Sequence, residues 1–288
     1  MNPDILTAKD LRKAFGRKQV LKGLDLSASK GEVVGILGRN GSGKTTLFNI
    51  LMDLTAMDSG SVEILGSGPD GSGRLRGLIG YVPEKPAFHQ FMTVKEVLDF
   101  RAGFFTRWDM QKAVELCKKL ELDGTAKVAA LSKGNLAKLA WITAVAHNPE
   151  LLLLDEPTSG LDYLVRDHIL NGLIHELADG GKTIIVSNHR MGEMGGILDR
   201  VCVLGNGVIS AQHSAEFLTG EVFKAGVRLE GRAPELDGLI PLRSAGAVRE
   251  FAVLGRGTLE KLKLEKSFAG ADISPMPLEE TFKVLLGE

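Results

Sequence analysis

Residues 38–46 read GRNGSGKTT, and their setting restricts the possible folds more than any other feature of the chain. An apolar run, Glu32–Leu37, precedes them and predicts a short buried strand, while residues 46–51 open a helical pattern. The nine residues match G-x-x-x-x-G-K-[ST], in which glycines let backbone N–H groups point at phosphate oxygens beside a helix N-terminus. An ordinary glycine-rich turn is the alternative, which the flanking strand and helix disfavour. The sequence therefore predicts a phosphate-binding loop.

The loop supplies most of the predicted nucleotide-binding residues. These are Gly38, Arg39, Asn40, Gly41, Ser42, Gly43, Lys44, Thr45 and Thr46. In such a loop the lysine reaches the β- and γ-phosphates and the hydroxyl after it binds Mg²⁺, which gives those roles to Lys44 and Thr45. A nucleotide held by its phosphates, together with Mg²⁺, is therefore expected.

Composition narrows the class of protein. The 288 residues carry a formal net charge of −1, which disfavours nucleic acid as a main partner. Two cysteines, Cys117 and Cys202, lie far apart in apolar surroundings, which indicates buried reduced thiols in a cytosolic protein. The first ten residues do not resemble a secretory signal, and no apolar run is long enough to span a membrane. Work at a membrane would therefore need a second chain that supplies the spans.

Apolar runs alternate with helical patterns, which predicts an α/β core with parallel strands. Beyond the strand before the loop, we predict strands at Ser61–Leu65, Leu151–Asp155, Thr183–Ser187 and Glu250–Leu254, a hairpin at Val201–Ile209, and helices at Val94–Phe100, Met110–Leu120, Asn135–Ala146 and Leu278–Leu286. The predicted fold is a P-loop NTPase core with a mixed sheet at residues 1–220. It contains a helical subdomain at about 86–150, and a small α+β extension follows at 221–288.

A second signal is LLLLDEP at residues 151–157. An apolar strand that ends in two acids places both carboxylates at the edge of a parallel sheet where ligands bind. Asp155 is then expected to hold Mg²⁺ and Glu156 to orient or deprotonate the attacking water. The alternative is a strand that ends in a charged turn, and the phosphate loop upstream makes that alternative the weaker one.

The segment LSKGN at residues 131–135 precedes a helical pattern, and here the chain resembles the ATP-binding cassette (ABC) ATPase family. Four further matches follow the family's order across residues 5–215: Phe15, Tyr81–Glu84, Ser159–Asp162 and His189. The resemblance implies that the nucleotide is ATP and that Phe15 stacks on its adenine. It also implies that Ser132, Gly134 and Asp162 contact the nucleotide and that His189 acts at the γ-phosphate in catalysis. Each match also has an ordinary structural alternative when it is considered alone. Phe15 could be a core aromatic, His189 could be a loop histidine, and residues 159–162 could be a turn.

The chain departs from the family pattern at three of these positions. Glu84 stands where the family most often has Gln, and we expect this carboxylate to lie on the metal side of the site. Lys133 and Asn135 replace the usual Gly and Gln of the signature. Lys133 either adds positive charge at the γ-phosphate or is a solvated surface lysine.

The resemblance also implies partners. A second ABC subunit, in a homodimer for example, would close its signature over this chain's phosphate loop. A separate transmembrane permease subunit would dock at residues 86–92, with Phe88 and Phe91 packing inside the helical subdomain as the alternative. Residues 277–282, PLEETF, resemble the closing motif of the type-2 exporter branch. The expected location is therefore peripheral, on the cytoplasmic face of the inner membrane. Two alternative functions are those of an ABC ATPase that takes no part in transport and of a P-loop nucleotide kinase.

Overall fold

The computed structural model describes residues 3–161, 166, 169, 174–188, 194, 196–229, 232–245 and 247–287. Its strands are β1 Asp4–Phe15, β2 Lys18–Ser29, β3 Val33–Leu37, β4 Ser59–Ile64, β5 Ile79–Val82, β6 Leu151–Asp155, β7 Thr183–Asn188, β8 Arg200–Gly205, β9 Val208–Ser214, β10 Val222–Arg228, β11 Leu239–Ala245, β12 Val248–Leu254 and β13 Asp272–Pro275. Its helices are α1 Lys44–Leu51, α2 Val94–Ala102, α3 Met110–Lys119, α4 Lys133–Val145, α5 His175–Asp179, α6 Ala215–Gly220, α7 Arg256–Leu264 and α8 Leu278–Leu286.

The central sheet has six strands in the order β5-β6-β7-β3-β8-β9. All are parallel except β9, which returns antiparallel to β8. Every residue of β3 and β6 is buried, which explains why their sequences are apolar without alternation. Asp155 pairs in register with Ser187, and Leu37 with Asn188, so the carboxyl ends of β6, β7 and β3 lie side by side. The predicted mixed α/β sheet is confirmed.

A second sheet, with strand order β2-β1-β4, is antiparallel, and its long hairpin β1–β2 was missed from the sequence. Leu24, Leu26 and Ala28 are buried while residues 25 and 27 are not, an alternation that is typical of a half-buried strand. Register shifts in β1 interrupt the same pattern there, which hides that strand from a period-2 search. The hairpin turn leaves Phe15 at one end of the sheet.

The predicted hairpin after β8 is confirmed, with Asn206 and Gly207 at its turn. Both have positive φ, 51° and 83°, as a two-residue type I′ turn requires. The backbone N–H of Lys22 donates to the Gly207 carbonyl at 2.9 Å, which ties this turn to β2. The two sheets are therefore joined beside the phosphate loop.

Helices α2, α3 and α4 form the helical insertion between β5 and β6. Each has a side-chain N-cap, from Thr93, Asp109 and Ser132 respectively, and Thr93 makes a capping box with Glu96. Helix α4 begins two residues before its predicted start because Ser132 caps it. Trp141 of α4 is 1% exposed and belongs to the same core cluster as the central strands, so the insertion packs directly on the sheet.

Strands β10–β13 form a third, antiparallel sheet in the order β11-β12-β10-β13. Helix α8 follows it with the predicted bounds, and its Phe282 is 3% exposed within the core cluster of the central sheet. The closing helix thus packs against the nucleotide-binding core. The boundaries at residues 220 and 221 stay a prediction.

Candidate functional site

The phosphate loop connects the end of β3 to the first turn of α1, as the motif predicts. Gly43 has φ 111°, a conformation that L side chains rarely adopt, and a Cβ there would lie 3.0 Å from Leu21 Cδ2. A Cβ on Gly38 would lie 2.9 Å from the Leu204 carbonyl oxygen. Ser42 Oγ is buried and makes no hydrogen bond among the described residues, which leaves a hydroxyl for a ligand in the loop. Glycine is therefore favoured at Gly43 by its backbone conformation and at Gly38 by the close backbone of β8.

Lys44 holds the loop together while keeping its charge inside it. The side chain is 6% exposed, and its Nζ donates to the carbonyl oxygens of Gly38 at 2.7 Å and Arg39 at 3.2 Å. Glu156 Oε1, on a side chain that is also buried, lies 3.1 Å from the same ammonium. A buried charge costs free energy unless it is paired, and here carbonyl dipoles and a carboxylate compensate it. The ammonium is thus fixed inside the loop.

Asp155 and Glu156 are positioned by Ser187, a residue that the sequence reading missed. Ser187 is fully buried at the carboxyl end of β7, and its hydroxyl donates to Asp155 Oδ1 at 2.6 Å. The Glu156 backbone N–H donates to the Ser187 carbonyl and lies 3.1 Å from its hydroxyl oxygen. One serine therefore contacts both neighbouring acids. Knowledge of the strand pairing would have placed Ser187 opposite Asp155 and revealed this role.

Glu156 has φ 48°, in the left-handed region that non-glycine residues seldom occupy. Such strain clusters at functional sites, where the surrounding structure enforces it. The hydrogen bond that the Glu156 backbone N–H donates to Ser187 and the ion pair to Lys44 supply that enforcement. The turn directs the Glu156 carboxylate toward the phosphate loop, away from the strand axis that Asp155 follows.

The Asp155 carboxylate suits a cation. Burial raises its pKa, the hydroxyls of Ser187 and Thr45 lower it, and the charges of Glu156 and Glu84 raise it further. Its Oδ2 is buried and accepts no hydrogen bond among the described residues. An acceptor of this kind beside a threonine hydroxyl fits Mg²⁺, which in phosphoryl-transfer sites takes one or two carboxylates plus phosphate oxygens. Within the described ranges, no three His, Cys, Asp or Glu side chains form a group that could hold a metal ion.

A cleft of about 470 Å³ opens over the loop, within the usual size range of small-molecule sites. It is lined by Phe15, Lys18, Val20, Asn40, Gly41, Gly43, Lys44, Thr45, Thr46, Glu84, Glu156 and Ser159. The structure thus brings Phe15 and Glu84, 69 residues apart in sequence, to one cleft with the loop. Phe15 is 53% exposed and its ring centroid lies 5.3 Å from Lys13 Nζ, so it is not a core aromatic.

The signature residues lie elsewhere. Ser132 and Gly134 do not line the cleft. Ser132 Oγ accepts the backbone N–H of Asn135 at 3.2 Å as the N-cap of α4, and Gly134 lies in the first turn of that helix. The chain therefore presents a helix N-terminus with an exposed serine, separate from its own phosphate loop. Asp162 and His189 lie outside the described residues.

The comparisons with known proteins agree with this geometry. A family model described as "ABC transporter" matches residues 21–159. Linearmycin resistance ATP-binding protein LnrL of Bacillus subtilis is 31% identical over 99% of this chain and 90% of its own length. Nod factor export ATP-binding protein I of Ralstonia nicotianae is 34% identical over 76% of this chain and 70% of its own length.

Two solved structures have the same architecture. One, described as an ATP-binding subunit of an ABC transporter, has a TM-score of 0.69 at 26% identity and covers 74% of this chain and 91% of its own. Another is the dimeric ATP-binding cassette MJ0796 bound to ADP and Pi in a post-hydrolysis state. It has a TM-score of 0.66 at 28% identity and covers 73% of this chain and 98% of its own.

Proposed function

The chain belongs to the ABC transporter ATP-binding family and is an ATPase, and we propose that it drives a separate membrane-spanning exporter subunit through ATP-dependent dimerisation. The observation that carries the proposal is the meeting of Lys44, Thr45 and Glu156 in one cleft, with Asp155 directly beside them. This set combines a phosphate-binding ammonium, ligands for a metal and a candidate base.

In this proposal Glu156 is the base that orients and deprotonates water, while Lys44 holds the β- and γ-phosphates. Thr45, Asp155 and Glu84 would hold Mg²⁺, whose chemistry is to neutralise charge on the transferred phosphoryl group. Phe15, which lines the same cleft, would stack on the adenine. We retain Asp162 and His189 as nucleotide-contacting and γ-phosphate residues on the strength of the family resemblance.

A second subunit completes the site. Ser132 and Gly134 lie outside the cleft of their own chain, so they can serve a nucleotide only if another chain presents it. The relative solved as a dimer with ADP and Pi supports this arrangement. Hydrolysis then removes the γ-phosphate contacts that join the two subunits, and the dimer opens.

The membrane subunit is proposed because the family name implies transport. No described helix is long and apolar enough to span a bilayer. Of the two phenylalanine side chains in residues 86–92, one is exposed enough to contact a docked partner and the other is not. Phe88 packs against the main core cluster, whereas Phe91 is 71% exposed beside it. The export direction rests on relatives named for Nod factor export and linearmycin resistance. A non-transport mechanical role is the second candidate.

The test replaces Glu156 by Gln, which keeps its shape and removes its basicity. We expect ATP hydrolysis to fall by about 10²–10⁴-fold, and an ATP-bound dimer to accumulate in size-exclusion chromatography. Glu150→Gln is the matched control, because Glu150 lies beside the opposite end of β6 with an exposed side chain. A Glu156→Gln variant that hydrolyses ATP at the wild-type rate would exclude Glu156 as the base.

A further inference from the structure

A charged side chain lies over the ring of Phe15, which lines the cleft above the phosphate loop. We call this cleft the nucleotide cleft. Lys13 precedes Phe15 by two residues on β1, and its Nζ lies 5.3 Å from the centroid of the Phe15 ring. The described residues that line the nucleotide cleft include Phe15 but not Lys13. The ammonium therefore contacts the ring from outside the set of side chains that would meet the nucleotide.

Asp58, the residue before β4, fixes this ammonium and the backbone on both sides of it. Lys13 Nζ donates to Asp58 Oδ1 at 2.9 Å. The backbone N–H of Ala14 donates to Asp58 Oδ2 at 2.6 Å, and the N–H of Asp58 donates to the Arg12 carbonyl at 2.9 Å. The hydrogen bonds from Lys13 and Ala14 lower the pKa of Asp58, so its carboxylate is ionised. One aspartate thus holds residues 12–14 directly before the ring.

The pair of Lys13 with Asp58 differs from an ordinary surface ion pair on the same strand. Arg12 pairs with Asp10 at 2.7 Å, but these side chains are 50% and 63% exposed, and such pairs contribute little to stability. The Lys13 side chain is only 13% exposed, although lysines are rarely covered to that extent. The ammonium is thus placed precisely, at the end of the strand where Phe15 meets the cleft.

A cation on one face of an aromatic ring changes what the other face can bind. The face of a ring is electron-rich, so two stacked rings repel each other through their π electrons. An ammonium attracts those electrons to its own side, which weakens the repulsion felt by a base on the opposite face. It also restricts the rotation of Phe15, a side chain that is 53% exposed, so less conformational entropy is lost when a base stacks.

We propose that Lys13, held by Asp58, is a positioning residue for the nucleotide, which fixes the Phe15 ring with one face presented to the base. Lys13 acts through Phe15 and does not touch the nucleotide itself. The inference rests on the proposed function, in which Phe15 stacks on adenine. It implies an effect on the base alone, because the phosphates are bound by the loop at residues 38–46.

The test compares ADP with inorganic pyrophosphate, which carries the same two phosphates and no base. Each displaces a fluorescent ADP analogue from the purified full chain in the presence of Mg²⁺, and the ratio of the two affinities measures what the nucleoside contributes. Lys13→Met keeps the length of the side chain and removes its charge. We expect it to lower the ratio by about fivefold, through weaker binding of ADP alone. Lys13→Arg should restore most of the ratio, because the charge returns.

Two further variants make the test specific. Asp58→Asn should lower the ratio by about twofold, because the ammonium of Lys13 loses its ionised partner. Arg12→Met is the matched control: it removes the same charge one position away, on the opposite side of the strand, from a pair with Asp10. It should leave the ratio unchanged. Thermal unfolding of each variant checks that it folds, and Asp58→Asn carries the test if Lys13→Met does not.

An equal loss of ADP and pyrophosphate binding in Lys13→Met would overturn the proposal, since it would show a general effect of charge or stability. A ratio that stays at the wild-type value, or one that Arg12→Met lowers equally, would do the same. Phe15→Ala separates this failure from failure of the proposed function. If Phe15→Ala lowers the ratio and Lys13→Met does not, only the positioning role is wrong. If Phe15→Ala leaves the ratio unchanged, the stacking of Phe15 on adenine is wrong as well.

Discussion

Two clefts of the molecule differ in how their charges are compensated. In the nucleotide cleft, Lys44 has two carbonyl oxygens and Glu156 within 3.2 Å, all supplied by the same chain. A second cleft, of about 720 Å³, is lined by Arg74, Arg76 and Arg101, and we call it the arginine cleft. Arg101 is half-buried there, and its Nε has no hydrogen-bond partner in the described part of the chain. A charge with partners on its own chain is preorganised for a ligand, whereas a half-buried charge without an ion-pair partner lowers stability.

We expect the largest loss of activity from replacing Lys44, whose charge is compensated by groups of the same chain. Lys44→Met should reduce ATP hydrolysis by at least about 10²-fold, because the preorganised charge on the phosphates is lost. It should also lower the free energy of unfolding by about 3 kcal/mol, since Glu156 stays buried without its ammonium. Urea denaturation measures the second effect. The double variant Lys44→Met with Glu156→Gln should recover part of that stability, and no recovery would mean that the two side chains are not energetically coupled.

We expect a smaller loss of activity from replacing Ser187, which contacts both Asp155 and Glu156. Ser187→Ala removes the hydroxyl that contacts Asp155 and Glu156, and we expect stability to fall by about 1–3 kcal/mol. Hydrolysis at saturating ATP should fall by about tenfold, because both carboxylates lose a positioning contact.

Thr143 offers the matched control for Ser187, because its buried hydroxyl donates to the Ala140 carbonyl of its own helix. Thr143→Ala should cost stability by a similar or smaller amount while the turnover number stays at the wild-type value. Equal loss of turnover in the two variants would show that Ser187 acts through general stability alone.

The smallest effect has the opposite sign. Arg101→Met should raise the free energy of unfolding of the isolated chain by about 0.5–2 kcal/mol, because it removes a half-buried charge that has no ion-pair partner among the described residues and keeps the apolar packing on Phe105. Arg200→Met should lower it, since Arg200 donates to Glu32 at 2.7 Å and to the Ser27 carbonyl at 2.7 Å. Denaturant titration of both variants measures these two changes in the free energy of unfolding. Destabilisation by Arg101→Met would mean that the arginine cleft is compensated within the chain.

Much of the fold could be predicted from local patterns. The strand at Leu151–Asp155 and the helix at Leu278–Leu286 have their predicted bounds, because a continuous apolar run and an amphipathic period are local properties. The hairpin β1–β2 was missed because register shifts break its alternation and because its partner β4 is remote in sequence. The positioning role of Ser187 depends on strand pairing between β6 and β7, which no local pattern reveals.

The sequence by itself determined the class of chemistry. GRNGSGKTT and LLLLDEP each require a particular backbone geometry and a particular charge, so their residues identify a phosphate loop and an acid-tipped strand before any contact is known. Only the tertiary structure decided which charges are compensated. Lys44 and Glu156 are 112 positions apart and meet at 3.1 Å, whereas the Nε of Arg101 has no hydrogen-bond partner among the described residues. Pairing is a property of distance and desolvation, and neither quantity is encoded at one position of the chain.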